Sequence, residues 1–518
     1  MRFLTCCLAL VLLALPSRAQ TSDECTAPFT GSARLSVNSL RAPVSTTRPL
    51  FLNGGLELSS IEPETILSCL MTELVAVRGD TLRRAAQHYR PGPRHMPDGE
   101  CGPANRVWRI DRSDLEAFDR TGVATEDIRD WPVALGAPVS DGDGLAGNYN
   151  LEGGDRPTLF GDETVWWVMH DRPYNDNMQQ PGLDIQVTAY AFRGVGAVGN
   201  STLYRYRFVN TSGSPLENVR LGLAPEVEVQ NRRVWSGSRP DSDLAYFYSS
   251  APEVEGRAVG MALLPATLWP SDAGLKPPAT PDASSLHSFV VEVHRELDWG
   301  YFGTDQVMDG RQRNGSAIRG KGDGVGTSGP PTRYMFDGDP LTGSGWTMAN
   351  PGAGASLSGY FHNSIASTTP FDLAPGASAD LVFAVSVATG EHPRAALATL
   401  FDQTDRIRAN AAYLLSPDVR ARERVVVPPT FELSASAAYP NPFSSTSSID
   451  FTVEVEADVR LIVFDAIGRV VQRSELGRLP PGEHATRIEG SELPPGTYLY
   501  RLAIGAAVTT GVVMRTPR

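Results

Sequence analysis

The sequence predicts a mainly β fold: β-sandwich modules in the body, one amphipathic helix near 393–415, and a small Ig-like β-sandwich at the C-terminal end. Three observations predict it. Apolar residues recur at every second position over long stretches, glycine and proline are abundant at 49 and 40 of 518 residues, and turn signals separate the alternating runs. Many short strands joined by turns fit such a composition better than a helical bundle. A chain of 518 residues also exceeds what one core serves, so two to four domains are expected.

Alternation is plainest in two neighbouring segments. Leu183, Ile185, Val187 and Ala189 alternate with polar residues; Thr202, Tyr204, Tyr206 and Phe208 share one face, with Arg205 and Arg207 on the other. Asn210-Thr211-Ser212-Gly213 supplies turn chemistry before Val219, Leu221 and Leu223 resume the pattern. Later, Leu373-Ala374-Pro375-Gly376 turns into Leu381, Phe383, Val385 and Val387, and strands so far apart pair at long range, as in sandwiches. Two helices interrupt the pattern. Ser113-Asp114-Leu115-Glu116 has the form of a capping box for a short one. From Pro393 to Leu415, Leu397, Leu400, Phe401, Thr404, Ile407, Ala411 and Leu414 fall on one face at helical spacing, a stripe suited to core packing.

The ends carry the clearest signals. Arg2, the apolar run Phe3–Leu15 and Ser17-Arg18-Ala19 form a secretory signal over residues 1–19, cleaved after Ala19. No later stretch reaches the roughly 18 to 20 apolar residues that a membrane span needs, so no transmembrane segment is expected in the mature chain. Without Arg2 and Arg18 the formal charge moves from −13 to −15, a sign that disfavours nucleic acid as a partner. Three cysteines remain, Cys25, Cys69 and Cys101; their spacing is not that of a zinc site, and which of them pair stays open. Residues 20–105 form an N-terminal region of weak pattern, 106–415 the β-rich body, and 416–435 a linker stiffened by Pro428-Pro429.

Beyond the linker, Tyr439-Pro440-Asn441-Pro442-Phe443 opens a short all-β module. Ile449, Phe451, Val453 and Val455 alternate, a strand from Val459 to Phe464 ends in a turn with Gly468-Arg469, and Leu493-Pro494-Pro495-Gly496 turns into Tyr498, Tyr500, Leu502 and Ile504. This order resembles the C-terminal type A sorting domain of type IX secretion cargo over residues 436–518. The resemblance implies passage through the periplasm, export by the type IX machinery of Bacteroidota and their relatives, and a place in the medium or on the cell surface. Tyr439, Pro440, Asn441, Pro442, Phe443, Gly468, Arg469, Gly496 and Tyr498 are the sorting-motif residues so implied. Segments of the body such as Leu151-Glu152-Gly153-Gly154-Asp155-Arg156-Pro157 and Trp166-Trp167-Val168-Met169-His170-Asp171-Arg172 resemble large uncharacterised secreted proteins of the same bacteria, which implies location and no activity.

Chemistry is sparse in the body, and no catalytic residue is assigned. No two histidines stand at the HExxH spacing, no GxSxG elbow occurs, and Gly315–Lys321 matches the start of a phosphate loop with Gly322 where a hydroxyl should stand. Asp141, Asp143 and Glu152 partly imitate a calcium loop, with Leu145 and Ala146 in place of a ligand and the turn glycine, so calcium is the one cofactor the pattern admits. Trp166 is the candidate platform for stacking on a sugar, since its neighbour Trp167 points the other way on a strand. Asp155, Asp162, Glu163 and Asp171 lie close in sequence, as a glycosidase pair would. Two readings follow. The first is a secreted or surface protein with a non-catalytic binding or structural role, its partner a glycan or matrix component; the alternative is a secreted hydrolase of polysaccharide or protein.

Overall fold

The computed structural model describes residues 31–517 apart from 53, 60–63, 86–88, 95–103, 172–178, 228–233, 251–254, 269–284, 293–302, 325–328, 352–362, 418–434, 454–455, 466–468, 492 and 506. The secretory signal, Cys25, Cys101, Gly468 and most of the linker lie outside the described residues. Cys69 is buried, and burial pushes its thiol up to about 12.

Two nine-stranded antiparallel sheets face each other across one apolar core. The first runs in the order Ser32–Leu35, Leu40–Ser45, Leu56–Leu58, Glu64–Arg78, Leu216–Val227, Asn363–Thr368, Leu286–Glu292, with Thr81–Ala85 and Phe371–Leu373 branching from it. The second runs Val234–Arg239, Leu244–Ser249, Gly256–Leu263, Ser378–Gly390, Ser201–Asn210, Leu183–Ala191, Glu163–His170, Arg90–Pro91, with Trp108–Asp111 also on Glu163–His170. Each alternating run read in the body supplies one side of this core. Leu221 and Leu223 meet Val187, Tyr204, Tyr206 and Phe383 there, and Phe51 against Tyr204 and Phe247 against Phe289 interlock the layers edge to face.

The boundary expected at residue 105 does not divide this core. Glu64–Arg78 pairs along most of its length with Leu216–Val227, so residues of the weakly patterned N-terminal region build half of the first sheet. Such pairing joins segments about 150 residues apart and leaves no local trace in sequence.

Outside the second sheet lie two covering layers. The helix Pro393–Ala409, continued by Ala411–Leu414, packs its stripe on the sheet as expected. Leu397, Leu400 and Phe401 meet Tyr246, Tyr248 and Ala262, while Ile407, Ala411 and Leu414 meet Tyr190, Leu203 and Val382. Gly256 has no side chain because a Cβ there would stand 2.3 Å from the carbonyl oxygen of His392, where the helix begins. The second layer is the helix Arg112–Thr121 with its flanking turns. Its start departs from the capping-box expectation: the strand Trp108–Asp111 runs straight into the helix, Asp111 is the N-cap without a side-chain cap, and Ser113 already lies in the first turn. Gly122 ends it in the left-handed region at φ 72°.

The C-terminal module has its own core of Ile449, Phe451, Leu461, Val463, Ile488, Tyr500, Leu502 and Val513. A pair of strands, Thr446–Val453 and Gly482–Glu489, stands apart from a four-stranded sheet in the order Val470–Leu479, Ala457–Phe464, Gly496–Ile504, Ala507–Arg515.

Candidate functional site

Strand Glu163–His170 is buried on both faces, and this decides the fate of the two tryptophans. Trp167 points into the main core and Trp166 points outward, as alternation requires. The outward side is covered, however. Trp108 and Trp131 stand 5.8 and 6.5 Å from Trp166, which is 1 % exposed. The stacking platform expected at Trp166 therefore has no face to offer a sugar in this structure: the helix Arg112–Thr121 and the turns after it close over it.

The neighbouring carboxylates are held individually. Asp162 pairs with Arg112 and accepts the Arg193 amide; Glu163 accepts from Arg109 at 2.7 Å and from the Ser36 and Val37 amides; Asp171 pairs with Arg94 at 2.8 Å. Burial raises the Asp171 carboxyl, and the Gly182 amide and Arg94 work against that rise. Glu163 and Asp171 sit at opposite ends of one strand, about 26 Å apart at ~3.3 Å per residue. A glycosidase pair needs roughly 5 to 9.5 Å, so these two do not form one.

The acidic loop folds differently from its sequence pattern. Asp141, Asp143 and Asp155 bring carboxylate oxygens within 4.8 Å of one another, while Glu152 is exposed and outside the cluster. Asp155, fully buried, accepts the amides of Gly142 and Asn150. Asn148 and Asn150 both donate their side-chain amides to Asp143, and with the Leu145 amide they hold its carboxyl below the usual range. The Asn148 Oδ1 is shielded from solvent and accepts no hydrogen bond among the described residues. Counting twelve places from Asp141 selects Glu152 only if the loop follows one known calcium geometry; the extra turn through Asn150 and Gly153 brings in Asp155 instead.

A concave site on the outer face of the first sheet was not legible in sequence. Register places Arg84, Val75 and Arg220 in one row and Glu73, Gly222, Ser367 and Ser288 in another. The short helix Thr304–Met308 lies over the second row, its Met308 carbonyl accepting from Ser288 and Ser367. Gly222 permits this approach, because a Cβ there would meet Met308 at 2.8 Å. Beside the helix opens a recess of about 430 Å³, counting its open mouth, lined among others by Glu73, Arg84, Thr304, Val307, Arg313 and Ile365. Glu73, 1 % exposed, receives Arg84 on both oxygens at 2.9 and 2.8 Å, which neutralises the carboxylate.

Next to this row, Asp309 accepts from Arg220 at 2.8 Å and from Arg311 at 3.1 Å, with His287 Nε2 3.5 Å away. Burial works to raise the Asp309 carboxyl, but Arg311, Arg220 and His287 together hold it below its ordinary value. Burial and then Arg333 lower His287. Both groups are thus depressed in the folded chain, so the stability they contribute is complete above their unfolded values and fades as pH falls. Hydrogen exchange of residues 303–313 is accordingly expected to speed up as pH drops below about 6.5 through the lowered His287 value, and further below about 3.8, after correction for intrinsic exchange rates. Protection that is flat from pH 7 to 3 would refute this.

In the C-terminal module the motif residues divide by role. Phe443 is 2 % exposed in the core, and Tyr498 is buried with its hydroxyl on the Pro494 carbonyl at 2.7 Å. Asn441 acts as a clasp: its amide donates to the Val512 carbonyl and accepts the Met514 amide, at 2.9 and 2.8 Å. Phe443 and Thr516 add backbone bonds in both directions around the same edge. Tyr439, Pro440 and Pro442 are exposed, Arg469 pairs with Asp465 at the surface, and Gly496 opens the third strand of the sheet.

A family model described as the secretion system C-terminal sorting domain matches residues 437–514. The chain is type IX secretion cargo. This cargo protein is therefore delivered to the cell surface or the extracellular space, and its sorting domain is the part that engages the type IX machinery. No curated protein matches the cargo chain. Among solved structures, a polysaccharide lyase is similar over 93 % of this chain and 47 % of its own, about half its length, at 7 % identity and a TM-score of 0.28. No helix among the described residues of the cargo is long and apolar enough to cross a membrane.

Proposed function

We propose that the body, residues 106–415 together with the N-terminal strands, is a non-catalytic binding module, built as a β-sandwich and carried outside the cell by its sorting domain. Its ligand is an extracellular glycan or matrix component held in the recess beside Thr304–Met308. The observation that carries the reading is the state of the carboxylates. Glu73 in the recess is paired with Arg84, and Asp162, Glu163 and Asp171 are each bound to arginine, so each of these carboxylates already has a cation as its partner and none faces a second carboxylate as a catalytic pair would. The test is thermal unfolding of the secreted chain across a panel of polysaccharides, since a ligand of the folded state raises the midpoint by mass action. One glycan that shifts the midpoint, with the shift lost in Arg84→Met, supports the reading. Release of reducing ends or unsaturated products from any polymer would replace it with the hydrolase or another lytic activity.

The acidic loop supports a second proposal, that Asp141, Asp143 and Asp155 hold a calcium ion which fixes the turn. Hard oxygen donors are the right set for that ion. The Asn148 amide lies against Asp143 with its oxygen shielded and without a partner among the described residues, and rotating this amide by half a turn would present the oxygen to a cation. Calcium is expected to raise the unfolding midpoint of the chain and a chelator to reverse it, with both effects absent in Asp155→Asn. An unchanged midpoint at millimolar calcium rejects the site.

A further inference from the structure

Exposed apolar side chains are distributed unevenly over this molecule. Of thirteen large ones among the described residues, six lie on three strands of the sorting domain, Val470–Leu479, Gly496–Ile504 and Ala507–Arg515. Register turns several of them into a single row. Val470 pairs with Phe464, Phe464 with Leu499, and Leu499 with Val512, straight across all four strands. Burial alternates sharply on either side: Tyr498, Tyr500 and Val513 are in the core, whereas Val470, Leu499 and Val512 are 49, 45 and 55 % exposed. The row therefore lies on the face of the sheet turned away from the core, and nothing in the described chain covers it.

Alternating strands normally place polar residues on such a face, and scattered apolar ones need no explanation. A complete apolar row across a sheet, with Met514 beside it at 47 % exposure, is a different feature. The next row along the strands reads Arg473, Ile462, Arg501, Thr510. Neither Arg473 nor Arg501 has an ion pair among the described residues, although Arg460, Arg469 and Arg478 of the same sheet are paired with Glu475, Asp465 and Glu456. An apolar strip bordered by two unneutralised guanidinium groups is complementary to a protein surface that carries an apolar patch with carboxylates on one side.

We propose that this face, centred on Phe464, Leu499 and Val512 and bordered by Arg473 and Arg501, is where the sorting domain docks on an acidic-rimmed protein of the type IX machinery. The proposal rests on the sorting reading and adds the surface to it. The motif residues Asn441 and Phe443 then serve to keep the sheet closed, and recognition belongs to side chains outside the motif.

The test is export of the full-length protein in a host with the pathway, scored as the fraction reaching the medium or surface. Four forms are compared: deletion of 436–518, Leu499→Thr with Val512→Thr, Arg473→Glu with Arg501→Glu, and a control pair on the separate two-stranded sheet, Ala485→Thr with Arg487→Glu. Threonine keeps the strand preference, and unfolding of each purified chain followed by circular dichroism verifies that the module remains folded. Both face variants are expected to lower export at least tenfold, with accumulation in the periplasm, while the control exports normally. Normal export of both face variants alongside failure of the deletion overturns the docking face and leaves the sorting reading intact. Export of the deletion form overturns the sorting reading and the proposal with it. If the purified chain self-associates and the threonine pair makes it monomeric without loss of export, the face belongs to a second copy and the proposal also fails.

Discussion

Replacing Trp166 by alanine is expected to destabilise the body by about 3 to 5 kcal/mol, the usual cost of emptying a fully buried aromatic site. Trp166 is the centre of a tryptophan cluster that bonds the layer around Arg112–Thr121 to the second sheet, with Phe118, Ile128 and Leu159 around it. The cavity cannot collapse easily, since the strand below carries Trp167 into the opposite core. Trp166→Phe should cost clearly less. All eight tryptophans precede residue 347, so tryptophan fluorescence during urea unfolding reports the body and not the sorting domain. A midpoint within error of the parent would mean that Trp166 is exposed in solution, and would restore it as a platform for a sugar.

A second large effect is expected at Asp380. It is 4 % exposed and accepts from Arg205 at 2.9 Å and from Arg207 at 3.3 Å across neighbouring strands of the second sheet. Arg205 is itself 5 % exposed. Asp380→Ala removes the carboxylate and leaves the buried Arg205 guanidinium with one charge partner fewer, at a cost of about 3 to 5 kcal/mol. Replacing both partners, Arg205→Met with Asp380→Leu, should recover most of that loss, because two apolar side chains carry no desolvation penalty. A double variant as unstable as Asp380→Ala would show that the pair itself, and not the stranded charge, sustains the sheet. Salt should change neither result greatly, since the pair is screened from solvent ions by its burial.

These two residues also show what the sequence discloses and what it withholds. The alternation around Arg205 and Arg207 reveals a strand with two faces, and the structure places Tyr204, Tyr206 and Phe208 in the core accordingly. The same alternation does not say whether the opposite face meets water. For Arg205 and Trp166 it does not, because helices packed on the second sheet bury that side as well, and a covering layer is a property of distant chain. The helix Pro393–Ala409 was legible because its stripe is local, with period 3.6 over seventeen residues. The recess was not, since Glu73, Gly222 and Thr304 meet only through long-range register and a helix of five residues. The acidic loop lies between these cases: type and spacing point to Asp141 and Asp143, whereas Asp155 joins them only because the loop turns back through Asn150 before reaching it. In the sorting domain, five motif residues stand in sequence order, but the apolar row follows from which residues become neighbours across four strands, and spacing along the chain cannot give that.

The Asn441 clasp makes the sorting domain a ring closed by its own two ends. Its opening segment is fastened to the strand Ala507–Arg515, through the Val512 carbonyl, the Met514 amide and the backbone of Phe443 and Thr516. A chain without that strand loses both the edge of the sheet and the anchor for Tyr439–Phe443. Prematurely ended or clipped copies would thus lose the shape of the module at both extremities at once. Export would then select for intact chains, with molecular completeness written into the address label itself.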